Sequence, residues 1–197
     1  MSTLASSFPS VGSSAQAGSG SPSPSRSHET RADVSRRLAR LDSLLDESTS
    51  SLRRMYEGAR APRIGEVEGP LRGRMLGWPM LDARPGVQGL LRAFAGSASF
   101  PWRGKTFRPR EELAGEGINR VFSERFDLFR FETFIARSRA GDFDALQLDY
   151  DLPSNPPVIR SIKDEIRELE PGLWLGQAYL RTKSGDHLWL YFALART

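Results

Sequence analysis

The sequence predicts a mainly β protein: an antiparallel sandwich or barrel, preceded by a helical segment and a disordered N-terminal tail. Three observations carry this. Beyond residue 62, short apolar runs alternate with Gly and Pro and give eight candidate strands at short intervals. The gaps between them are too short for the helical crossovers of a parallel sheet. Ahead of them, apolar residues recur at helical rather than strand spacing.

Residues 1–30 hold eleven Ser, three Pro and three Gly, with Arg26 and Glu29 the charged side chains. Such a segment cannot bury enough apolar surface to offset the entropy of ordering, so it reads as a disordered tail. Its start, MSTLASSFPSVGSSAQAG, lacks the basic residues and apolar core of a secretory signal. One Arg is too few for a transit peptide. A cytoplasmic protein is expected.

Residues 31–61 form an amphipathic helical region. Val34, Leu38, Leu41, Leu45, Leu52 and Met55 recur at spacings of three, four or seven, and Leu44 and Tyr56 widen the stripe. Asp33 reads as the N-cap, and Gly58 with Pro62 as the stop. Residues 47–51 are a weak helical stretch where the segment divides if it divides anywhere. The stripe suits a helix packed on its own domain; a partner-binding helix is the alternative.

Residues 62–197 form the β domain. Its strands are expected at 71–78, 99–107, 117–122, 126–135, 143–150, 163–169, 173–181 and 187–195, with a short helix at 87–95. Glu170-Pro171-Gly172-Leu173 suits a type II turn, Gly172 taking the positive φ. Lys183-Ser184-Gly185-Asp186 supplies a second tight connection. Ile159, Ile162, Ile166 and Leu169 also fit a helical period, so 155–169 is open between helix and strand, with a short helix at 155–162 one option. In the last strand, Leu188, Leu190, Phe192 and Leu194 share one face. His187, Trp189, Tyr191 and Ala193 share the other. Both faces are largely apolar, so something must cover the second: the N-terminal helix, a partner subunit or an apolar ligand.

Composition excludes several chemistries. There is no cysteine, hence no disulfide, thiol nucleophile or cysteine-ligated metal. Two histidines cannot make a three-histidine zinc site. No apolar run reaches the roughly 18 residues of a membrane span. The net charge is +4, but the signs are interleaved, and residues 142–170 carry eight acids against three bases. A mixed-charge surface is expected rather than a nucleic-acid footprint. There is no nucleophile elbow, phosphate loop or dinucleotide fingerprint, so no reaction is indicated and no catalytic residue is assigned.

Four stretches occur in order: Gly69-Pro70-Leu71-Arg72-Gly73, Phe100-Pro101-Trp102-Arg103-Gly104-Lys105-Thr106-Phe107, Ile118-Asn119-Arg120-Val121-Phe122 and Leu148-Asp149-Tyr150-Asp151-Leu152-Pro153. The series resembles the GXWXG-type family of small lipocalin-like (calycin) β proteins, over roughly residues 66–181. The resemblance implies a barrel with an internal cavity that binds an apolar small molecule, and no established reaction. One departure stands out. The family's opening motif has Trp between its glycines, where this chain has Leu71, and any ligand contact by that indole is lost.

Candidate ligand contacts are Trp102, Arg103, Asn119, Arg120, Tyr150 and Trp174. Trp102 and Arg103 together suit a carboxylate-tailed ligand, the ring against the tail and the guanidinium on the acid. Lys105 reads as a cation snorkelling outside the barrel wall. Ile118, Arg120 and Phe122 share a strand face. If that face is interior, Arg120 needs a ligand carboxylate or an internal partner such as Asp149 or Asp151. Asp149 and Asp151 lie on one face about 7 Å apart. No third ligand is evident, so no metal is expected. No cofactor is expected either, haem on His187 being the alternative; His28 falls in the tail. The leading function is binding of an apolar, acid-bearing small molecule in the barrel. The alternatives are a structural or partner-binding protein that forms homo-oligomers through its helix and apolar sheet face, and a cavity enzyme using Tyr150, Asp149 or Arg120.

Overall fold

A computed structural model describes residues 29–81, Gly86, 101–121 and 127–197. The expected tail (residues 1–28), the helix expected at 87–95, and residues 99, 100, 122 and 126 of the expected strands lie outside the described residues.

Eight strands follow one another around a closed barrel: β1 (Gly69–Gly77), β2 (Trp102–Pro109), β3 (Gly115–Val121), β4 (Asp127–Arg137), β5 (Asp144–Asp149), β6 (Ile162–Glu170), β7 (Leu173–Thr182) and β8 (Gly185–Arg196). Every neighbouring pair is antiparallel, and β8 closes on β1. Closure removes the open sheet edges that would otherwise template association. The ends fall within a few residues of the expected runs. Gly172, at φ +81°, turns the chain between β6 and β7. The ambiguous stretch holds both of its options: a one-turn helix, α3 (Pro157–Arg160), runs into β6.

The N-terminal region is two helices. Helix α1 (Arg31–Ser43) is capped by Thr30 rather than Asp33. Asp33 is instead the reciprocal partner: its carboxylate accepts from the Thr30 backbone N–H at 3.2 Å, and its own N–H donates to Thr30 Oγ1. This is a capping box, with two orphan donors satisfied at once. A 3₁₀ turn, Leu44–Asp46, leads to helix α2 (Thr49–Gly58). The break falls where Ser48 caps the second helix, taking the Ser51 N–H at 3.1 Å.

Both helices cover the outside of the barrel. Leu41, Leu44, Leu52 and Tyr56 pack on Leu76, Leu173, Leu175, Tyr191, Ala193 and Ala195. The second apolar face of the last strand is therefore covered by the chain itself. Glu165, fully buried on this outer side, fastens the layer: it accepts from Tyr56 Oη (2.9 Å), Ser138 Oγ (2.6 Å), the Arg139 backbone N–H (3.1 Å) and Gln147 Nε2 (3.3 Å).

The interior holds Leu71, Phe107, Phe131, Leu148, Ile166 and Trp174, with Leu190, Phe192 and Leu194 from β8. Leu188 departs from the expected parity. The β7–β8 register steps from Ala178↔Leu190 to Tyr179↔Leu188, which makes Trp189 a bulge and sends Leu188 to the outer cluster. Three glycines make room for three inward rings. A Cβ at Gly73, Gly117 or Gly176 would lie 2.5, 2.3 or 2.2 Å from the rings of Trp102, Phe131 and Phe192, each on the adjacent strand.

Ile64 and Val67 close one end of the barrel, in and beside the 3₁₀ turn Ile64–Glu66. Burial alone would raise the Glu66 pKa. Hydrogen bonds from Arg60 and from the Arg63 backbone and side chain outweigh it and hold the pKa at about 2 against an ordinary 4.5. A depressed acid adds stability that is complete above its unfolded pKa and is lost as pH falls through the folded one. The stability gap between wild type and Glu66→Gln is thus expected to be full at neutral pH. It should close as pH drops from 4.5 towards about 2. Urea titrations across that window check it; a constant gap would show that Glu66 acts through something other than its charge.

Candidate functional site

At the opposite end, a polar cluster stands inside the apolar barrel. Lys105 of β2 is 3% exposed. Its Nζ donates to Asn119 Oδ1 (2.8 Å), to Asp164 Oδ2 (2.9 Å) and to Tyr150 Oη. Tyr150 Oη donates to Asp164 Oδ2 at 3.0 Å. Asn119 Nδ2 donates to Tyr150 Oη (3.1 Å) and to the Phe129 carbonyl (3.3 Å), and Trp102 Nε1 donates to Asn119 Oδ1 (3.1 Å).

A bulge builds this arrangement. The β2–β3 register steps from Trp102↔Val121 to Gly104↔Arg120, leaving Arg103 as the extra residue. Trp102 and Lys105, an odd number apart, thereby bond the same atom of Asn119. Gly104 is required there: φ is +133°, and a Cβ would lie 2.0 Å from the Leu71 carbonyl oxygen. On β6, alternation places Asp164 on the inward face with Ile166.

Four rings surround the ammonium, with centroids 5.1 Å (Phe192), 5.2 Å (Tyr150), 5.4 Å (Phe131) and 5.5 Å (Trp102) from Nζ. Ring quadrupoles attract a cation at this range. Burial lowers the Lys105 pKa, and Asp164 opposes the shift. Burial and then the Asp164 charge raise that of Tyr150. One positive and one negative charge leave the cluster neutral if both are ionised. One acceptor in it is unused: Asp164 Oδ1 is buried with no hydrogen-bond partner. A buried carboxylate oxygen without a donor costs about 1–3 kcal/mol or more.

Of the sequence candidates, Trp102, Asn119 and Tyr150 meet here. Trp174 is buried in the interior on β7, paired with Glu168, and the Arg196 guanidinium lies 5.7 Å from its ring centroid. Its Nε1 is a second buried polar atom without a partner. Arg103 is half-buried at the bulge. Arg120 lies on the other side of the wall from Asn119. The interior member of that stretch is Asn119, and Ile118 lines an outer depression of about 220 Å³ with Thr106, Arg108, Glu116 and Arg130. The condition under which Arg120 would need a ligand carboxylate or an internal acid, an interior Ile118–Arg120 face, is not met; Phe122 lies outside the described residues. Apolar neighbours left the side of Arg120 open, and this part of the outer surface mixes apolar and charged residues.

Asp149 accepts from Lys163 and from the Asp151 N–H (2.9 Å), and Asp151 pairs with Arg160 at 2.7 Å. Exposed His187 bonds Ser184 Oγ at 2.8 Å in the β7–β8 turn. Among the described residues, no three His, Cys, Asp or Glu side chains group as a metal site. No described helix is long and apolar enough to cross a membrane.

Sequence reasoning placed Lys105 outside and overlooked Asp164. A signal for both existed. Ile162, Asp164 and Ile166 alternate on one face, and the chain uses Lys only at 105, 163 and 183 amid 25 Arg.

No family model matches the chain, and no curated protein matches it. A solved structure titled as a crystal structure of a protein from Thermomonospora curvata aligns over 84% of this chain and 99% of its own, at 16% identity and a TM-score of 0.49.

Proposed function

We propose that the protein binds an apolar small molecule inside the barrel, with the ligand's oxygen-bearing head group against Lys105, Asn119, Tyr150 and Asp164. The supporting observation is this polar cluster with its unpaired Asp164 Oδ1, set in an apolar interior. Apolar walls with a few placed polar groups are the usual composition of a small-molecule site. Stability alone does not account for the cluster, because a buried ion pair is often no better than apolar residues of the same size.

A carboxylic acid is the head group that fits best. Its carbonyl oxygen accepts from Lys105, and its hydroxyl donates to Asp164 Oδ1. Two carboxyl groups in contact share one proton, so the acid binds with its proton in place. The helices and apolar sheet face considered for an oligomer interface pack on each other within the chain.

Fluorescence titration with cis-parinaric acid and its alcohol tests this reading. The wild type should bind the acid, more tightly at pH 5 than at pH 8. Arg120→Met should behave as wild type. The charge-balanced double variant Lys105→Met/Asp164→Leu should lose about tenfold or more for the acid, the worth of one charged hydrogen bond. Absence of binding to wild type, or an equal loss with Arg120→Met, would refute the site.

A further inference from the structure

We infer that Lys105 is an imine-forming amine, which holds an apolar aldehyde covalently on Nζ with Asp164 as counter-ion. This rests on the proposed binding of apolar molecules at the cluster. An aldehyde differs from the acid of the same tail only in lacking the hydroxyl, so the pose that sets an acid's carbonyl oxygen on Lys105 brings an aldehyde's carbon to the amine.

The chemistry needs a nucleophilic amine, a place for its proton and an acid for the departing oxygen. A desolvated lysine is the usual source of the first. Asp164 Oδ2, at 2.9 Å, supplies the second. A proton passing from ammonium to carboxylate along this contact leaves two neutral groups, so the step separates no charge inside the barrel. The nitrogen lone pair then forms the C–N bond, the carbonyl π pair moves to oxygen, and that oxygen takes a proton from nitrogen. The product is a neutral carbinolamine. Asp164 next returns its proton to the carbinolamine hydroxyl. The C–O bond breaks, water leaves, and the nitrogen lone pair closes the C=N bond. Ammonium plus aldehyde has become iminium plus water, with no oxidant or reductant.

Three features of the cluster suit these species. Asp164 Oδ1, the unused acceptor, is free for the hydroxyl of the carbinolamine. The iminium keeps its positive charge among the four rings that already surround Nζ. Tyr150 Oη touches both Nζ and Asp164 Oδ2 and holds them in register. The other two lysines lack this setting: Lys163 is paired with Asp149, and Lys183 is exposed in the β7–β8 turn.

The test uses the full chain with decanal as probe and sodium cyanoborohydride as trap, read by intact mass and peptide mapping. Decyl modification is expected at Lys105. Its initial rate should exceed that at Lys183 by about 10²-fold, the scale that a placed acid–base group supplies. Asp164→Asn should remove most of that advantage, and Tyr150→Phe should reduce it. Lys105→Arg should abolish the adduct, with Lys105→Met/Asp164→Leu as the control if the arginine variant does not fold. Modification confined to Lys163, Lys183 or the N-terminal amine overturns the inference. Decanol, titrated by tryptophan fluorescence, separates the two readings. Decanol binding without a Lys105 adduct refutes the imine and leaves the binding site standing; failure of both decanol and decanal refutes both.

Discussion

Asp164→Ala is expected to destabilise the fold by about 3–5 kcal/mol, because it strands a buried ammonium. Lys105 sits at 3% exposure, and Asp164 is its anionic partner in the cluster. Removal also takes the acceptor from Tyr150 Oη. Asn119 Oδ1, Tyr150 Oη and four ring faces remain, which attract the cation without neutralising it. The charge-balanced Lys105→Met/Asp164→Leu variant should recover most of the loss, since apolar residues of similar size replace a buried pair with little or no penalty. Lys105→Met and Asp164→Leu, made singly, should therefore be strongly non-additive. Urea denaturation of Asp164→Ala, of the two single changes and of the double variant measures this. A loss within about 0.5 kcal/mol for Asp164→Ala, the range of surface changes, would mean that Lys105 is not held as a buried cation.

Phe192→Ala should cost a similar amount, about 3–5 kcal/mol, for a different reason. The ring is 2% exposed, lies against Gly176, and meets the Trp102 ring edge-on at a centroid distance of 5.9 Å. Gly176 has no side chain with which to fill the vacated space. Phe192 also forms the nearest wall of the Lys105 cage, at 5.1 Å. The cavity would thus open beside a buried charge. Thermal and urea unfolding give the value. A change near zero would show that the barrel wall collapses into the space, and that the ring does not set the shape of the interior.

The parts of the fold that were legible in the sequence were those written locally. Gly and Pro punctuate the strands, and the turn at Pro171-Gly172 needs a positive φ that Gly supplies. The double-sided apolar pattern of the last strand announced a covering layer, and α1 and α2 provide it. Helix capping misled by three residues because Thr30 and Asp33 are both cap-forming types and act as a reciprocal pair. The site was less legible, because a bulge is a property of two paired strands. Parity counted along one strand cannot see the extra residue at Arg103 or at Trp189, and each inverts everything beyond it. The Lys105–Asp164 pair joins residues 59 apart, on β2 and β6, and only barrel closure brings them together. Asn119, a motif residue, lies inside, whereas its neighbour Arg120, the more conspicuous residue chemically, is on the outer side.

Both the binding site and the imine require an apolar molecule to occupy the barrel at the Lys105 cluster. Native mass spectrometry of protein purified from cells, followed by organic extraction, tests that directly. The expected spectrum shows the chain with an added small-molecule mass, released on denaturation and absent from Lys105→Met/Asp164→Leu purified in parallel. A spectrum of the bare chain, together with a wild-type barrel that takes up neither parinaric acid nor decanol when they are added, would contradict it.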